Sequence, residues 1–167
     1  MILLCSSCMV MGSLLYKKMA KGRRIQGQDL PNRALELLSG LCHGMGASPD
    51  FFCYRGNYYA VFHNGEVWFD EEGGLIKAKY YFTQLPELIR QWVPGKILES
   101  ITGNFPETYV SGFERTDEGY TLFVFGKTDG ELFFDGEGNL LSVADDATQT
   151  VDCQISYQRL PEHAIGY

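Results

Sequence analysis

Two spacings of apolar residues follow one another in this chain. In "DLPNRALELLSGL", from Asp29 to Leu41, apolar side chains return at Ala34, Leu35, Leu37, Leu38 and Leu41, a broad helical face. Pro31 suits a first helical turn, Asp29 can cap it, and Gly44 and Gly46 stop it. From Phe51 the period shortens to two. "FFCYRGNYYAVFHNGEVWFD" reads as strands, with Asn64-Gly65 as a two-residue hairpin signal. That turn predicts His63 opposite Glu66, Val61 opposite Trp68 and Tyr59 opposite Asp70 on one face. Phe62–Val67 and Ala60–Phe69 then pair on the other. The second face is purely apolar, and the first mixes charges with Tyr59 and Trp68. Such a contrast is expected of a sheet with one side on helices and one in water.

The same phrase is written twice. "GEVWFDEEGGL" (65–75) returns as "GELFFDGEGNL" (130–140), with seven of eleven positions identical. Upstream, "VPGKILESITGNFP" answers "LPNRALELLSG", and Val93-Pro94 matches Leu30-Pro31 at an offset of 63 residues. Repetition of this kind is settled before any other reading, because it fixes the architecture. The two phrases are turns into further strands, "LIKAKYYF" and "LLSVA": glycine supplies a positive φ and Asp bonds its own following backbone. Gly126 marks a candidate bulge in the longer second hairpin. The expected fold is α+β: two tandem helix plus antiparallel β-hairpin repeats, helices packed on one face of the sheet. Residues 29–84 form the first repeat and 85–150 the second. Residues 1–28 are an apolar N-terminal segment and a flexible basic linker. Residues 151–167 are a tail resembling the start of a further repeat, since Leu160-Pro161-Glu162 matches Leu85-Pro86-Glu87.

Charge narrows the partners. Residues 1–48 hold six Lys/Arg and two Asp/Glu; residues 49–167 hold eight and nineteen, a net charge of −11. So acidic a surface repels phosphate backbones, and a basic or polar protein is the better partner. The run "MILLCSSCMVMGSLLY" is too short for a comfortable membrane span and reads as a truncated export signal or the product of a mis-assigned start. Five cysteines at Cys5, Cys8, Cys42, Cys53 and Cys153 give neither a zinc-ribbon spacing nor a disulfide framework.

Candidate chemistry is thin. Asp70, Glu71 and Glu72 with Asp135 and Glu137 could serve as paired carboxylates of a carbohydrate-active enzyme, but acids beside glycine turns ordinarily shape the turn. "DGEGN" gives the first, third and fifth positions of a calcium loop, then fails at the sixth and twelfth with Leu140 and Asp146. No nucleophile elbow and no phosphate loop is present. No catalytic, metal or cofactor site is therefore assigned. The binding-surface candidates are Tyr59, His63, Glu66, Trp68, Glu131 and Phe133, because Trp and Tyr bury much area at low entropic cost.

The helix–hairpin order, "FP" at Phe105-Pro106, "GY" at Gly119-Tyr120, both "FD…G" phrases and "VDC" at Val151–Cys153 resemble the β-lactamase-inhibitor-like, PepSY-like domain proteins of bacteria. The likeness covers about residues 29–162, and the first repeat departs from it by lacking the Phe-Pro and Gly-Tyr pairs. It implies a β-lactamase-inhibitor-protein-like fold, a periplasmic or secreted location and no catalytic residues. The expected role is non-enzymatic protein binding in the cell envelope. An enzyme using the turn acids and a purely structural envelope protein are the alternatives.

Overall fold

A computed structural model describes residues 21–42 and 48–145. Nine strands lie in chain order across one antiparallel sheet. They are β1 (Arg23–Ile25), β2 (Asp50–Tyr54), β3 (Asn57–Phe62), β4 (Gly65–Phe69), β5 (Leu75–Tyr80), β6 (Thr108–Thr116), β7 (Gly119–Gly126), β8 (Gly130–Asp135) and β9 (Leu140–Asp145). Helix α1 (Asn32–Cys42) precedes β2; the short α2 (Glu87–Arg90) and α3 (Gly95–Asn104) fall between β5 and β6. Each long helix is thus followed by four strands, where hairpins were expected. The two halves fuse through Lys77–Glu114, Ala78–Phe113 and Lys79–Gly112.

One row of cross-strand partners defines the core. Ala60, Val67, Ala78, Phe113, Leu122 and Leu132 succeed one another from β3 to β8. None of the six is more than 1% exposed. Ala34, Leu38 and Leu41 of α1, Ile89 of α2, and Ile97 and Ile101 of α3 belong to the same cluster. Each large aliphatic or aromatic side chain buried there contributes about 1.5–3 kcal/mol. Leu30, Leu85 and Val93 are buried in the same cluster, each just before a proline. Those prolines supply a fixed φ where no helical N–H is needed.

The predicted faces hold, but the predicted pairs do not. Phe62 pairs with Gly65, Val61 with Glu66, Ala60 with Val67 and Tyr59 with Trp68. The turn is therefore His63-Asn64, and the pairing is displaced by two residues from the expected one. A displacement of two preserves the side to which each residue points. Gly65 is needed for a different reason: a Cβ there would meet the Lys79 carbonyl oxygen at 2.6 Å and the Tyr80 ring at 3.0 Å. The tight turn with positive φ at both central residues lies one hairpin earlier, at Arg55 (φ 53°) and Gly56 (φ 83°). Asp29 is not the cap of α1; its carboxylate accepts the Gln26 N–H at 2.9 Å within a 3-10 turn. Arg23–Ile25, read as part of a linker, pair with β2. The β6–β7 irregularity falls at Val110–Gly112 and not at Gly126. The C-terminal tail and the apolar N-terminal run lie outside the described residues.

The repeated acidic phrases form matching loops. Asp70 Oδ1 accepts the N–H groups of Glu72 (3.0 Å) and Gly74 (2.6 Å). Asp135 Oδ1 accepts those of Glu137 (3.0 Å) and Asn139 (2.8 Å). Gly73 and Gly138 have φ values of 83° and 81°. Each abuts the start of a long helix: a Cβ on Gly73 would reach Pro31 Cβ at 2.8 Å and Ala34 N at 3.0 Å, and one on Gly138 would reach Ile97 Cγ1 at 3.3 Å. Left-handed backbone costs an L-residue about 1–2 kcal/mol before any clash. Chemical denaturation should therefore show Gly73→Ala losing more than about 2 kcal/mol and Gly138→Ala losing less than Gly73→Ala, while Gly136→Ala, in open space, should be nearly neutral.

Candidate binding face of the sheet

The side of the sheet away from the helices carries two long ranks. The first runs Arg24, Phe52, Tyr59, Trp68, Lys77, Glu114, Thr121, Phe133, Ser142, each opposite the next. The second contains Asp50, Val61, Glu66, Lys79, Gly112, Phe123, Glu131 and Ala144. Strand pairing puts these residues side by side, and the sealed inner rank forces them outward.

Three aromatic rings stack at one end of the first rank. Phe52 and Tyr59 lie 5.0 Å apart at 18°, and Tyr59 and Trp68 lie 4.1 Å apart at 10°. Tyr59, enclosed between two rings, is only 2% exposed. Its hydroxyl donates to the Lys21 carbonyl oxygen, and burial together with the nearby Glu66 pushes the phenol up. Trp68 is half-buried, and its Nε1 donor has no hydrogen-bond partner. Next to this stack is a charged zone. Lys77 Nζ meets Glu114 Oε2 at 3.1 Å, and Lys79 Nζ sits 4.2 Å above the Phe123 ring. Phe123 is 9% exposed, with the Lys79 ammonium over its ring and the ring packed close to Gly112. Arg24 pairs with Asp50 at the β1 edge.

The six candidates do not form one cluster. Tyr59 and Trp68 are in contact, and Glu66 lies in the adjacent rank. Glu131 and Phe133 share the face but stand four strands away, about 19 Å at the usual strand spacing. His63 lies in the β3–β4 turn, exposed, and does not pair with Glu66. Sequence reasoning missed Phe52, Phe123, Lys77 and Lys79. It also missed Phe82, which is 99% exposed with φ 57°. That loop returns to the same end of the sheet, where Tyr81 N donates to the Asn64 carbonyl at 2.8 Å.

Two of the turn acids, Asp70 and Asp135, are already occupied. Asp70 Oδ2 lies 3.9 Å from Arg115, and Asp135 Oδ2 accepts Asn139 Nδ2 at 2.8 Å. Lys96 Nζ donates to the Glu137 carbonyl (3.0 Å) and to Asn139 Oδ1 (2.7 Å), so an ammonium serves the oxygens of the second loop. Among the described residues no group of three or more His, Cys, Asp or Glu is placed to hold a metal ion. Cys42 and Cys53 are free thiols, and burial raises that of Cys42.

Comparison with known proteins bears on the fold. No family model matches the chain, and no curated protein matches it. Solved structures do. A "putative calcium-regulated periplasmic protein" from Bacteroides thetaiotaomicron is 22% identical, with 74% of this chain and 96% of that one covered and a TM-score of 0.57. A "putative periplasmic protein from DUF2874 family" of Bacteroides vulgatus is 18% identical over 74% and 96%, with a TM-score of 0.59. A further "putative periplasmic protein of unknown function" from Bacteroides vulgatus is 19% identical over 72% and 95%, also at 0.59. The chain shares the fold of these proteins. A BLIP-like protein from Bacteroides fragilis reaches a TM-score of only 0.31, too low to bear on this chain.

Asp135 makes the loop chemistry measurable. Hydrogen bonds from Asn139, backbone first and side chain second, hold its carboxyl below the ordinary range, with Glu137 N–H and Lys96 adding to the effect. A depressed folded value means stability that is present above the unfolded value, about 3.9 for Asp, and lost as pH falls through the folded value. Thermal melts should therefore show Asp135→Asn less stable than the parent at neutral pH, with the gap closing as pH falls below about 4. A gap independent of pH would disprove the carboxylate's role.

Proposed function

We propose that the protein is a non-enzymatic protein-binding module of the bacterial cell envelope, acting through the helix-free face of its sheet. The observation that carries this reading is the stacked Phe52–Tyr59–Trp68 rank, continued by Lys77 and Glu114 across a single unbroken sheet. Nine strands span about 38 Å at about 4.8 Å per spacing, and five residues of strand add about 17 Å. That platform approaches the ~800 Å² per partner of a standard interface. Its mixture of half-buried aromatics and paired charges suits a polar or basic protein surface better than a small ligand.

Two further points support the reading. The structures sharing the fold belong to proteins described as periplasmic, in keeping with an envelope location for this chain. Of the turn acids, the Asp70 and Asp135 carboxylates are engaged by loop N–H groups, and Asp135 is shifted down, the wrong direction for a general acid. Among the described residues, no helix is long and apolar enough to cross a membrane.

The finer family reading is ours as well. Matching loops at Asp70 and Asp135, each docked through its glycine on the start of a long helix, support two tandem repeats, residues 29–84 and 85–150, of the β-lactamase-inhibitor-like, PepSY-like kind. Inhibition of a secreted or periplasmic enzyme is one concrete form of the binding role. Of the six candidates, Trp68, Glu66, Phe133 and Glu131 offer partly accessible side chains, Tyr59 braces Trp68, and His63 marks the rim.

The test is capture of a partner from envelope extract by the immobilised protein, read by mass spectrometry. Trp68→Ala and Phe133→Ala should each reduce recovery of the main partner at least about ten-fold, as hot-spot truncations do, while Glu36→Ala on the exposed side of α1 should not. Equal recovery by all three variants, with folding intact by circular dichroism, would refute the proposal.

A further inference from the structure

Phe82 touches almost nothing, yet the chain on either side of it is firmly tied. Its side chain is 99% exposed. Its φ of 57° lies in the left-handed region, where an L-residue is strained and glycine is not. Among the described residues, Arg55 and Glu107 are the other non-glycine residues with positive φ. Arg55 lies in the tight β2–β3 turn, and the Glu107 carbonyl accepts Lys127 N at 3.1 Å just before β6. Phe82 lies between two backbone hydrogen bonds. Tyr81 N donates to the Asn64 carbonyl oxygen at 2.8 Å, and Leu85 N donates to the Val110 carbonyl oxygen at 2.9 Å. The Leu85 side chain is buried in the core cluster. Phe82, Thr83 and Gln84 alone separate the two bonds, so the ring is displayed on a short tether fixed at both ends. Little ordering is then left for a binding event to impose.

The ring has aromatic company. Tyr81 is 38% exposed and Tyr109 45%. Tyr109 packs on its cross-strand partner Phe125, with ring centres 5.6 Å apart. Phe125 lies two residues after Phe123 on β7, so it shares the helix-free side. Strands β3, β5 and β7 finish at this end of the sheet, and β4, β6 and β8 begin there. A single exposed apolar side chain is ordinary; a tethered ring with strained backbone beside further accessible aromatics is a mark of function. The net charge of −7 opposes anionic lipid and nucleic acid. An aromatic ring filling an apolar pocket is instead the usual form of a hot spot between proteins.

We infer that Phe82 is the anchor of the interface, its ring entering an apolar pocket of a protein partner seated over the Tyr109–Phe125 end of the helix-free face. This inference rests on the binding reading above and deepens it. Denaturation and partner capture from envelope extract, both on the full chain, test it together. Phe82→Gly should leave the denaturation midpoint unchanged or raise it, because backbone strain is relieved and no packing is lost. The same variant, and Phe82→Ala, should cut recovery of the main partner at least about ten-fold, while Phe82→Leu, which keeps apolar bulk, should retain most of it. Parent-like recovery by Phe82→Gly and Phe82→Ala, with Trp68→Ala losing the partner, would overturn the anchor and leave the binding reading standing. No protein recovered by the parent chain would sink both. A lower midpoint for Phe82→Gly would make the ring a support of the fold and overturn the inference. So would retention of the parent, but not of Phe82→Ala, on vesicles of phosphatidylcholine and phosphatidylglycerol, which would give the ring to a lipid surface.

Discussion

A β-strand sends successive side chains to opposite sides, and in this sheet one side is committed to the helices. The rank Ala60–Val67–Ala78–Phe113–Leu122–Leu132 is sealed under α1, α2 and α3. Trp68 stands between Val67 and Phe69, both fully buried, and has no choice but to face the other way. The same rule turns out Phe133, next to Leu132 and Phe134. The candidate face is therefore a consequence of the core. Of the outward aromatics, Phe52, Tyr59 and Trp68 stack on one another, and the Lys79 ammonium lies over Phe123.

The acidic phrases that first attract attention serve geometry. Asp70 and Asp135 each gather two backbone N–H groups, and each allows a glycine with positive φ to press against the start of a helix. Lys96 satisfies the outward oxygens of the second loop. At Asp135 these hydrogen bonds favour the charged form, which makes it a poor proton donor. The two aspartate loops thus tie sheet to helices.

How much of this could be read in the sequence follows from the same alternation. The sides of Tyr59, Ala60, Phe62, Val67, Trp68 and Phe69 were readable because a period of two survives a two-residue error in pairing. The pairs themselves were not. Asn64-Gly65 looks like a turn, but Gly65 answers to the bulk of Tyr80, a contact 15 residues away that no local signal announces. With the pairing displaced, the Tyr59–Trp68 stack could not be foreseen, and His63 was wrongly set opposite Glu66. Phe52 and Phe123 were missed because their positions are decided by strands far apart in sequence. The two Asp–Gly loops were readable because Asx-turn chemistry is local. Arg23–Ile25 were not, since three residues with two arginines become a strand only by tertiary pairing.

Phe133 and Phe134 are chemically identical neighbours that the sheet sends to opposite sides, so they isolate the claim that one face is core and the other is free. Equilibrium denaturation of Phe133→Ala and Phe134→Ala is the most direct measurement. Phe134, 2% exposed within the core cluster, should cost about 3–5 kcal/mol. Phe133, flanked by Thr121 and Ser142, should cost about 1 kcal/mol or less. Equal large losses would mean that the outer face is a second core, and would contradict a sheet with one free side.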